Sequence, residues 1–271
     1  MRILDTDETR KRVAESGIER AAIPAFGFRD DADHVAYDWH SHRHHQLLYA
    51  FEGVVHLETG DRRFLLPPQR AAWIPAGLTH RTWLEKVRSG SVFFAPGMVR
   101  SPSAGTLRIL AAPPIMREMI GYAMRWPPEH PREALAESYF RTLALLCHEW
   151  LIDEEPYHLP VARSPALRRA MDYAQANLAD ADIRGAARAA ALSERTLRRR
   201  FREEAGMGWQ EYLHHSRMLH ALARLGETPM RIAELAESVG YSNASTFAKA
   251  FASFAGEQPG RYRMRLGSRP G

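Results

Sequence analysis

The chain has 271 residues, of which 45% are hydrophobic and 25% charged, and its net charge is +5. This length suits one large domain or two modest domains, each able to bury its own core. No run of about eighteen apolar residues occurs, which excludes a membrane-spanning helix. The polar N-terminus lacks the apolar stretch of a signal peptide, and the single cysteine excludes an intramolecular disulfide. We therefore expect a cytoplasmic protein.

The positive charge is confined to the C-terminal part of the chain. Residues 164–271 contain 17 Lys and Arg against 11 Asp and Glu, whereas residues 1–163 contain 20 against 21. Basic charge in one segment indicates a polyanionic partner for that segment, although a solvated basic face is the ordinary alternative.

The region from about Ala21 to Ala95 is patterned as short strands separated by turns and prolines. Gly60 and Asp61 join two of these strands as a tight hairpin. Many short strands without helical spacing predict an antiparallel barrel or sandwich. The clearest strands are Gln46–Phe51, Val54–Thr59, Arg62–Leu66 and Val92–Phe94.

Helical spacing begins near Ser103. Apolar residues recur at this spacing from Leu107 to Met124, and Leu135–Ile152 predicts a longer helix in which Cys147 is a buried thiol. The acidic, proline-containing segment Asp153–Ser164 predicts a linker. The chain thus divides into a barrel (1–102), a helical region with a linker (103–163) and a helical C-terminal domain (164–271).

Seven helices are predicted after Pro165, with a frayed tail beyond Tyr262. Two pairs of these helices have the pattern of a helix-turn-helix, in which two short helices are joined by a tight turn. Such a unit places its second helix in the major groove of DNA.

The first unit combines the helix Ile183–Leu192 with the helix Glu194–Glu204. Asp182 and Ser193 are the expected N-caps, and Gly206 is expected to end the second helix. Leu197 and Phe201 face inward on this second helix. The outward face carries four arginines, which suit phosphate contacts and guanine recognition, and a solvated arginine face is again the alternative. These arginines are Arg195, Arg198, Arg199 and Arg202.

The second unit combines Ile232–Gly240 with Asn243–Phe254. Ser242 is the expected N-cap, Tyr241 is expected to be buried at the turn, and Gly256 takes the place of Gly206. The outward positions that face DNA are Asn243, Ala244, Ser245 and Lys249.

One helix, Trp209–Leu225, runs between the two units. At 1.5 Å per residue its length is about 25 Å, which allows the two reading helices to occupy successive major grooves.

Two stretches, Leu192–Phe201 and Ile232–Phe251, resemble the AraC/XylS family of transcription regulators. The resemblance covers about a hundred contiguous residues and extends to Gly206, Tyr212, Arg217, Gly256, Pro259, Tyr262 and Arg263. It implies a regulator that binds promoter DNA, with RNA polymerase as a further candidate partner. It also implies that the first reading helix makes most base contacts, through Arg195, Arg198 and Arg199.

The second reading helix departs from the family pattern, in which long polar side chains are common at the outward positions. Ala244 and Ser245 offer only methyl contacts and a weak hydrogen bond. We therefore expect this unit to contribute more to phosphate positioning than to sequence reading. By the same resemblance, the helices between residues 106 and 152 are expected to pack on the barrel and to support a homodimer.

The predicted barrel contains a histidine pattern that resembles the two cupin motifs, His-x-His-x3-(Glu/Gln)-x6-Gly and Pro-x-Gly-x2-His. The first motif is carried by His40, His42, Gln46 and Gly53, and the second by Pro75, Gly77 and His80. His40 and His42 share one face of a strand because side chains alternate. The second motif lacks the usual preceding glycine and the closing asparagine.

The cupin resemblance implies one divalent transition metal (Zn, Ni, Fe or Mn) held by His40, His42, His80 and the carbonyl oxygen of Gln46. The alternative is that these side chains donate or accept hydrogen bonds to an organic effector. The remaining histidines of the barrel, His34, His44, His45 and His56, are expected to face away from the cavity.

The predicted fold is α+β and multidomain, with a cupin-type double-stranded β-helix barrel, flanking helices, and an all-α domain of two helix-turn-helix units joined by a linker helix. The predicted function is regulation of transcription by a small effector bound in the barrel. A metal-dependent cupin dioxygenase or isomerase with an accessory DNA-binding tail is the alternative. Gln46 disfavours this enzyme, because a glutamate would better neutralise the metal, and no acid–base pair accompanies the motif. A nonspecific nucleoid-binding protein is a third hypothesis.

Overall fold

The computed structural model describes residues 2–3, 5–131, 133–152, 154–155, 157–227 and 229–267. The chain divides into two compact units, the first formed by Met1–Thr59 with Phe64–Glu155 and the second by Gly60–Arg63 with Pro156–Gly271. This division differs from the expected three regions, because the helices after residue 103 share one core with the sheet. No described helix has the length and apolar character needed to cross a membrane.

The first unit contains a mainly antiparallel sheet. Its path runs β1-β2-β6-β3-β4, and β5 pairs with both β3 and β7. The strands are β1 (Arg2–Ile3), β2 (Ala25–His40), β3 (His45–Glu58), β4 (Arg62–Leu66), β5 (Arg70–Ile74), β6 (His80–Phe94) and β7 (Arg108–Ala111).

Strands β3 and β6 are much longer than the sequence predicted, since the expected strand Val92–Phe94 is only the end of β6. The expected strands Gln46–Phe51 and Val54–Thr59 form one strand, β3, whose register shifts between Ala50 and Val54 while Gly53 adopts a φ of 76°. Such a bulge bends a strand without ending its pairing, and only glycine takes this conformation without strain. The bent sheet curls so that β2, β3, β5 and β6 contribute to the wall of one cavity.

Three helices complete the first unit: α1 (Thr6–Glu15), α2 (Pro114–Ala123) and α3 (Ala134–Trp150). The sequence analysis did not predict α1, which begins with a capping box between Asp5 and Glu8. α2 and α3 pack on the sheet through a core that includes Trp73 and Phe140. Cys147 lies in this core with 1% exposure, and burial raises the pKa of its thiol, which confirms the prediction of a structural cysteine.

The second unit contains a short strand and seven described helices, as predicted. Tyr262 packs on the ring of Phe251, and Arg265 pairs with Glu257 at 2.7 Å. These contacts extend the last helix to Gly267, so the prediction of fraying directly after Tyr262 is wrong, while residues 268–271 lie outside the described residues. The elements are β8 (His158–Pro160), α4 (Pro165–Ala176), α5 (Ile183–Ala190), α6 (Glu194–Ala205), α7 (Trp209–Glu227), α8 (Ile232–Ser238), α9 (Ala244–Ala255) and α10 (Pro259–Gly267).

The long helix α7 joins the two helix-turn-helix units through Arg217. Its guanidinium donates to the carbonyl oxygens of Leu178, at 2.8 Å, and Ala179, at 3.1 Å. Gly240, at the turn of the second unit, lies against the same groups, and a Cβ there would collide with Ala179 O and with the Arg217 guanidinium. From the sequence, Arg217 was only one of the residues that match the family, and no local pattern predicted these hydrogen bonds.

The turns of the two units share one backbone pattern but not one residue type. Leu192 N donates to Ala187 O at 2.9 Å in the first helix-turn-helix, and Tyr241 N donates to Ala236 O at 2.9 Å in the second helix-turn-helix. The residue in the left-handed conformation is Gly240 (φ 82°) in the second turn but Ala191 (φ 55°) in the first. α5 therefore ends at Ala190, two residues before its predicted end.

We predict that Ala191→Gly stabilises the chain. The substitution removes the clash of a Cβ in the left-handed region, and we expect the free energy of unfolding to rise by about 1 kcal/mol. Ala189→Gly, inside α5, is the control and should lower that free energy by about 1 kcal/mol. Urea denaturation of both variants checks the prediction, and a loss of stability in Ala191→Gly would contradict it.

We also predict that Arg217→Met lowers the free energy of unfolding by about 2 kcal/mol, because two carbonyl oxygens lose charged donors while the apolar stem is retained. Arg188 is exposed on α5 and has no side-chain partner among the described residues, so Arg188→Met is the matched control. Equal urea midpoints for the two variants would show that the Arg217 bonds contribute nothing.

Candidate DNA-binding surface and ligand pocket

The outward face of α6 is as basic as predicted. The helix begins at the expected cap, because Ser193 Oγ accepts from Thr196 N at 3.2 Å, and it ends at Gly206 with a φ of 70°. Leu197 and Phe201 are fully buried on its inner face. All four predicted DNA-contacting arginines are exposed: Arg195, Arg198, Arg199 and Arg202.

Two of these arginines pair with acids on their own helix, which the sequence analysis missed. Arg198 Nη2 lies 3.2 Å from Glu194 Oε2, and Arg199 Nη1 lies 3.4 Å from Glu203 Oε1. Within the described residues, Arg195 and Arg202 have no carboxylate partner. The signal was present in the sequence, because each pair has the i,i+4 spacing that brings side chains together on a helix.

The second reading helix, α9, begins one residue later than predicted. Its N-cap is Asn243, whose Oδ1 accepts from Thr246 N at 2.7 Å, so the prediction that Ser242 is the cap is wrong. An Asx carbonyl caps at least as well as a serine hydroxyl, and here it leaves the Asn243 amide NH₂ exposed. Ser245 and Lys249 are also exposed, whereas Ala244 is half-buried.

The residue at the second turn is less buried than expected. Tyr241 is half-buried, and its hydroxyl lies 3.2 Å from His214 Nδ1 on α7. A tyrosine whose hydroxyl needs a polar partner remains near the surface more readily than a phenylalanine. Burial raises the pKa of Tyr241, so it stays neutral.

In the N-terminal compact unit, which contains the sheet, the predicted pocket residues converge on one cavity of about 90 Å³. The rings of His40 and His80 lie 4.4 Å apart, and those of His42 and His80 lie 5.3 Å apart. His40 and His80 are register partners at the ends of β2 and β6, while Gln46 enters from β3. His34, His44, His45 and His56 do not line this cavity, in agreement with their predicted orientation away from it.

Each pocket histidine is oriented by a nearby backbone carbonyl. The Nδ1 atoms of His40, His42 and His80 lie 2.7, 2.6 and 2.9 Å from the carbonyl oxygens of Asp38, His44 and Leu78. Burial lowers the pKa of all three imidazoles, that of His42 to about 4, and they are therefore neutral. The single proton of each ring lies on Nδ1, which leaves Nε2 as an acceptor.

Gln46 completes the polar base of the pocket. Its amide nitrogen donates to Ser91 Oγ at 2.8 Å, and its Oε1 lies 3.0 Å from His42 Nε2. Two acceptors face one another in this orientation. Rotation of the amide resolves the contact, because Nε2 of Gln46 then donates to His42 and Oε1 accepts from the Ser91 hydroxyl.

The metal predicted from the sequence stays a prediction. The described residues contain no group of three or more His, Cys, Asp or Glu side chains placed to hold one ion. The imidazoles are of the type that transition metals prefer, and their Nδ1 atoms are fixed as in many metal sites.

Comparisons with known proteins agree with both units. A family model described as an AraC-like ligand binding domain matches residues 23–160, and one described as a helix-turn-helix domain matches residues 186–265. The transcriptional regulator NimR of Escherichia coli is 28% identical over 252 residues, which cover 90% of this chain and 89% of the relative.

Two further matches are shorter. The transcriptional regulator GlxA of Rhizobium meliloti is 38% identical over 82 residues, or 30% of this chain and 25% of that protein. The solved C-terminal domain of AraT, a response regulator from Geobacillus stearothermophilus, is 33% identical with a TM-score of 0.36, covering 38% of this chain and 86% of that one. The curated relatives are named as regulators, which gives no support to the enzyme alternative. The chain belongs to the AraC family of transcription regulators, DNA-binding proteins with an N-terminal ligand-binding domain.

Proposed function

We propose that α6 reads the sequence of the operator and that α9 mainly positions the chain on the phosphate backbone. The observation that supports this division is the difference between the two exposed faces. α6 presents four arginines, whereas α9 presents one cation, Lys249, beside Ser245 and the Asn243 amide. Arginine recognises guanine with two hydrogen bonds, and such pairs discriminate between bases, whereas a lysine on a phosphate does not.

We further propose that the cavity of the first unit binds the effector. Its base carries three neutral imidazoles. The Nε2 atom of His42 accepts from the Gln46 amide, whereas those of His40 and His80 are the acceptors offered to N–H or O–H donors of an effector. Leu48, Ile74 and Phe93 supply apolar walls, and the volume of about 90 Å³ limits the enclosed part of the ligand to a small group. Control of transcription then requires that the effector bind the DNA-competent and incompetent states with different affinity.

A homodimer is proposed from α3, whose outer face carries Leu135 and Leu145, with Ile152 directly after its end. These side chains are 51%, 69% and 69% exposed. A symmetric dimer in which this face packs on the same face of a second copy would bury the three side chains of both protomers. Contact with RNA polymerase stays a prediction that follows from the family alone.

We predict that Arg199→Ala relaxes the sequence preference of DNA binding. Lys249→Ala should weaken DNA binding and leave the sequence preference unchanged. Selection from random duplexes by the full chain should give two sequence blocks about 10 base pairs apart for the wild type. Arg199→Ala should lose one base preference, at a cost of about 1–3 kcal/mol at that position. Lys249→Ala should retain the motif and reduce the salt dependence by about one phosphate contact.

An identical selected motif for the wild type and Arg199→Ala would contradict base reading by this residue. Absence of any selected motif would favour the nonspecific nucleoid-binding protein over a regulator with defined operators.

We predict that untagged protein purified without chelator carries well below one equivalent of transition metal, and that His42→Ala does not change this content. The reason is that the described residues contain no group of three metal-ligating side chains placed to hold one ion, while Gln46 already occupies the Nε2 atom of His42. Elemental analysis measures the content, and circular dichroism controls for folding. A near-stoichiometric metal that is lost in His42→Ala would overturn the hydrogen-bonding proposal and restore the metal predicted from the sequence.

A further inference from the structure

Glu194 is an acidic residue at the start of a helix whose outward face is otherwise basic. It is the first residue of α6 and follows the capping residue Ser193. Its Oε2 lies 3.2 Å from Arg198 Nη2 on the same helix, and its Oε1 lies 4.0 Å from Arg184 Nε on α5. The carboxylate therefore connects the two helices of the first helix-turn-helix unit through two different cations.

These pairs contribute little to the stability of the fold. The side chains of Glu194, Arg198 and Arg184 are 38%, 55% and 76% exposed, and solvent screens the attraction in exposed ion pairs. The charge is also unfavourable for general DNA affinity, since it lies where the residues of a reading helix approach the bases and phosphates. An acidic residue in the first turn suits the helix dipole, but neither this nor phosphate binding accounts for its pairing with Arg198 and Arg184.

The geometry favours an effect on Arg198 instead. An arginine that recognises guanine must present its planar fork in one orientation, whereas the free side chain samples many rotamers. A carboxylate one turn earlier, held in turn by Arg184, restricts the guanidinium before DNA arrives. Its negative charge simultaneously disfavours contacts of the same guanidinium with phosphates at unrelated sequences.

We propose that Glu194 is a positioning residue that orients Arg198 for base recognition and thereby increases sequence discrimination while lowering nonspecific affinity. This inference rests on the proposed function, in which Arg198 contacts a base. Arg184 contributes to this positioning, because its guanidinium pairs with the other carboxylate oxygen of Glu194.

Three variants of the full chain test the inference. Glu194→Gln removes the charge and retains the shape, and Arg198→Ala identifies the base pair that depends on this arginine. Glu204→Gln is the control for charge on α6, because Glu204 also makes an i,i+4 pair, with Arg200 at 3.4 Å in the reverse order, away from the proposed reading positions. Its bond from Ser164 N, at 3.1 Å, can be kept by the amide oxygen of glutamine. Affinities are measured by fluorescence anisotropy at one salt concentration. The probes are the selected duplex, its single-base-pair variants at the α6 half-site, and a random duplex.

We expect Glu194→Gln to bind the random duplex about twofold more tightly and to lose about fivefold of its discrimination at the base pair that depends on Arg198. Its thermal midpoint should stay close to that of the wild type, and Glu204→Gln should keep the discrimination. A purely structural role would instead weaken binding to both duplexes together.

Each other result overturns the inference in a distinguishable way. Retained discrimination in Glu194→Gln, with loss in Arg198→Ala, rejects the positioning role and leaves the proposed function intact. Retained discrimination in both variants rejects base contact by Arg198 and with it the inference, whereas base reading by α6 as a whole is decided separately by Arg199→Ala. Equal loss in Glu204→Gln shows that net charge on α6, rather than the position of Glu194, accounts for the effect.

Discussion

The second unit depends on how α7 holds its two helix-turn-helix pairs. Arg217 donates to two carbonyl oxygens that follow α4, and the turn glycine Gly240 packs on the same groups, so one side chain links both pairs. At its other end, Trp209 packs against Phe201 of α6. A rigid connection of this kind fixes the separation of the reading helices, and a fixed separation is what converts two short contacts into recognition of one extended site.

The same interactions reduce the charge that is free to meet DNA. The excess of Lys and Arg after residue 164 suggested a polyanion partner, yet Arg217 and Arg169 bond to carbonyl oxygens and Arg200 pairs with Glu204. The binding surface therefore has fewer free cations than composition implies. Because phosphate contacts provide affinity without sequence information, a surface that neutralises part of its own charge favours discrimination over general attraction.

Local signals predicted the C-terminal unit well. Asp182 and Ser193 cap the starts of α5 and α6 by accepting from backbone N–H groups three residues later, and Gly206 ends α6. The first unit was predicted less well. Proline and glycine positions suggested separate short strands, whereas the bulge at Gly53 joins two of them into β3. The convergence of His40, His42 and His80 followed from motif spacing, but the Gln46–Ser91 bond joins residues 45 positions apart and no local pattern contains it.

The pocket owes its selectivity to hydrogen bonds that are already made before a ligand arrives. Each Nδ1 proton is directed at a backbone carbonyl, so His40 and His80 present Nε2 acceptors to the cavity, while that of His42 accepts from Gln46. The rings cannot reverse this polarity without breaking those bonds. A ligand with donors satisfies buried acceptors at little entropic cost, because the rings do not need to reorganise. A ligand that only accepts leaves them unpaired, and an unpaired buried polar group costs about 1–3 kcal/mol. In the proposed effector pocket this cost applies to ligand groups that lie against His40 and His80, whereas Arg12, which also lines the cavity, donates to acceptor groups.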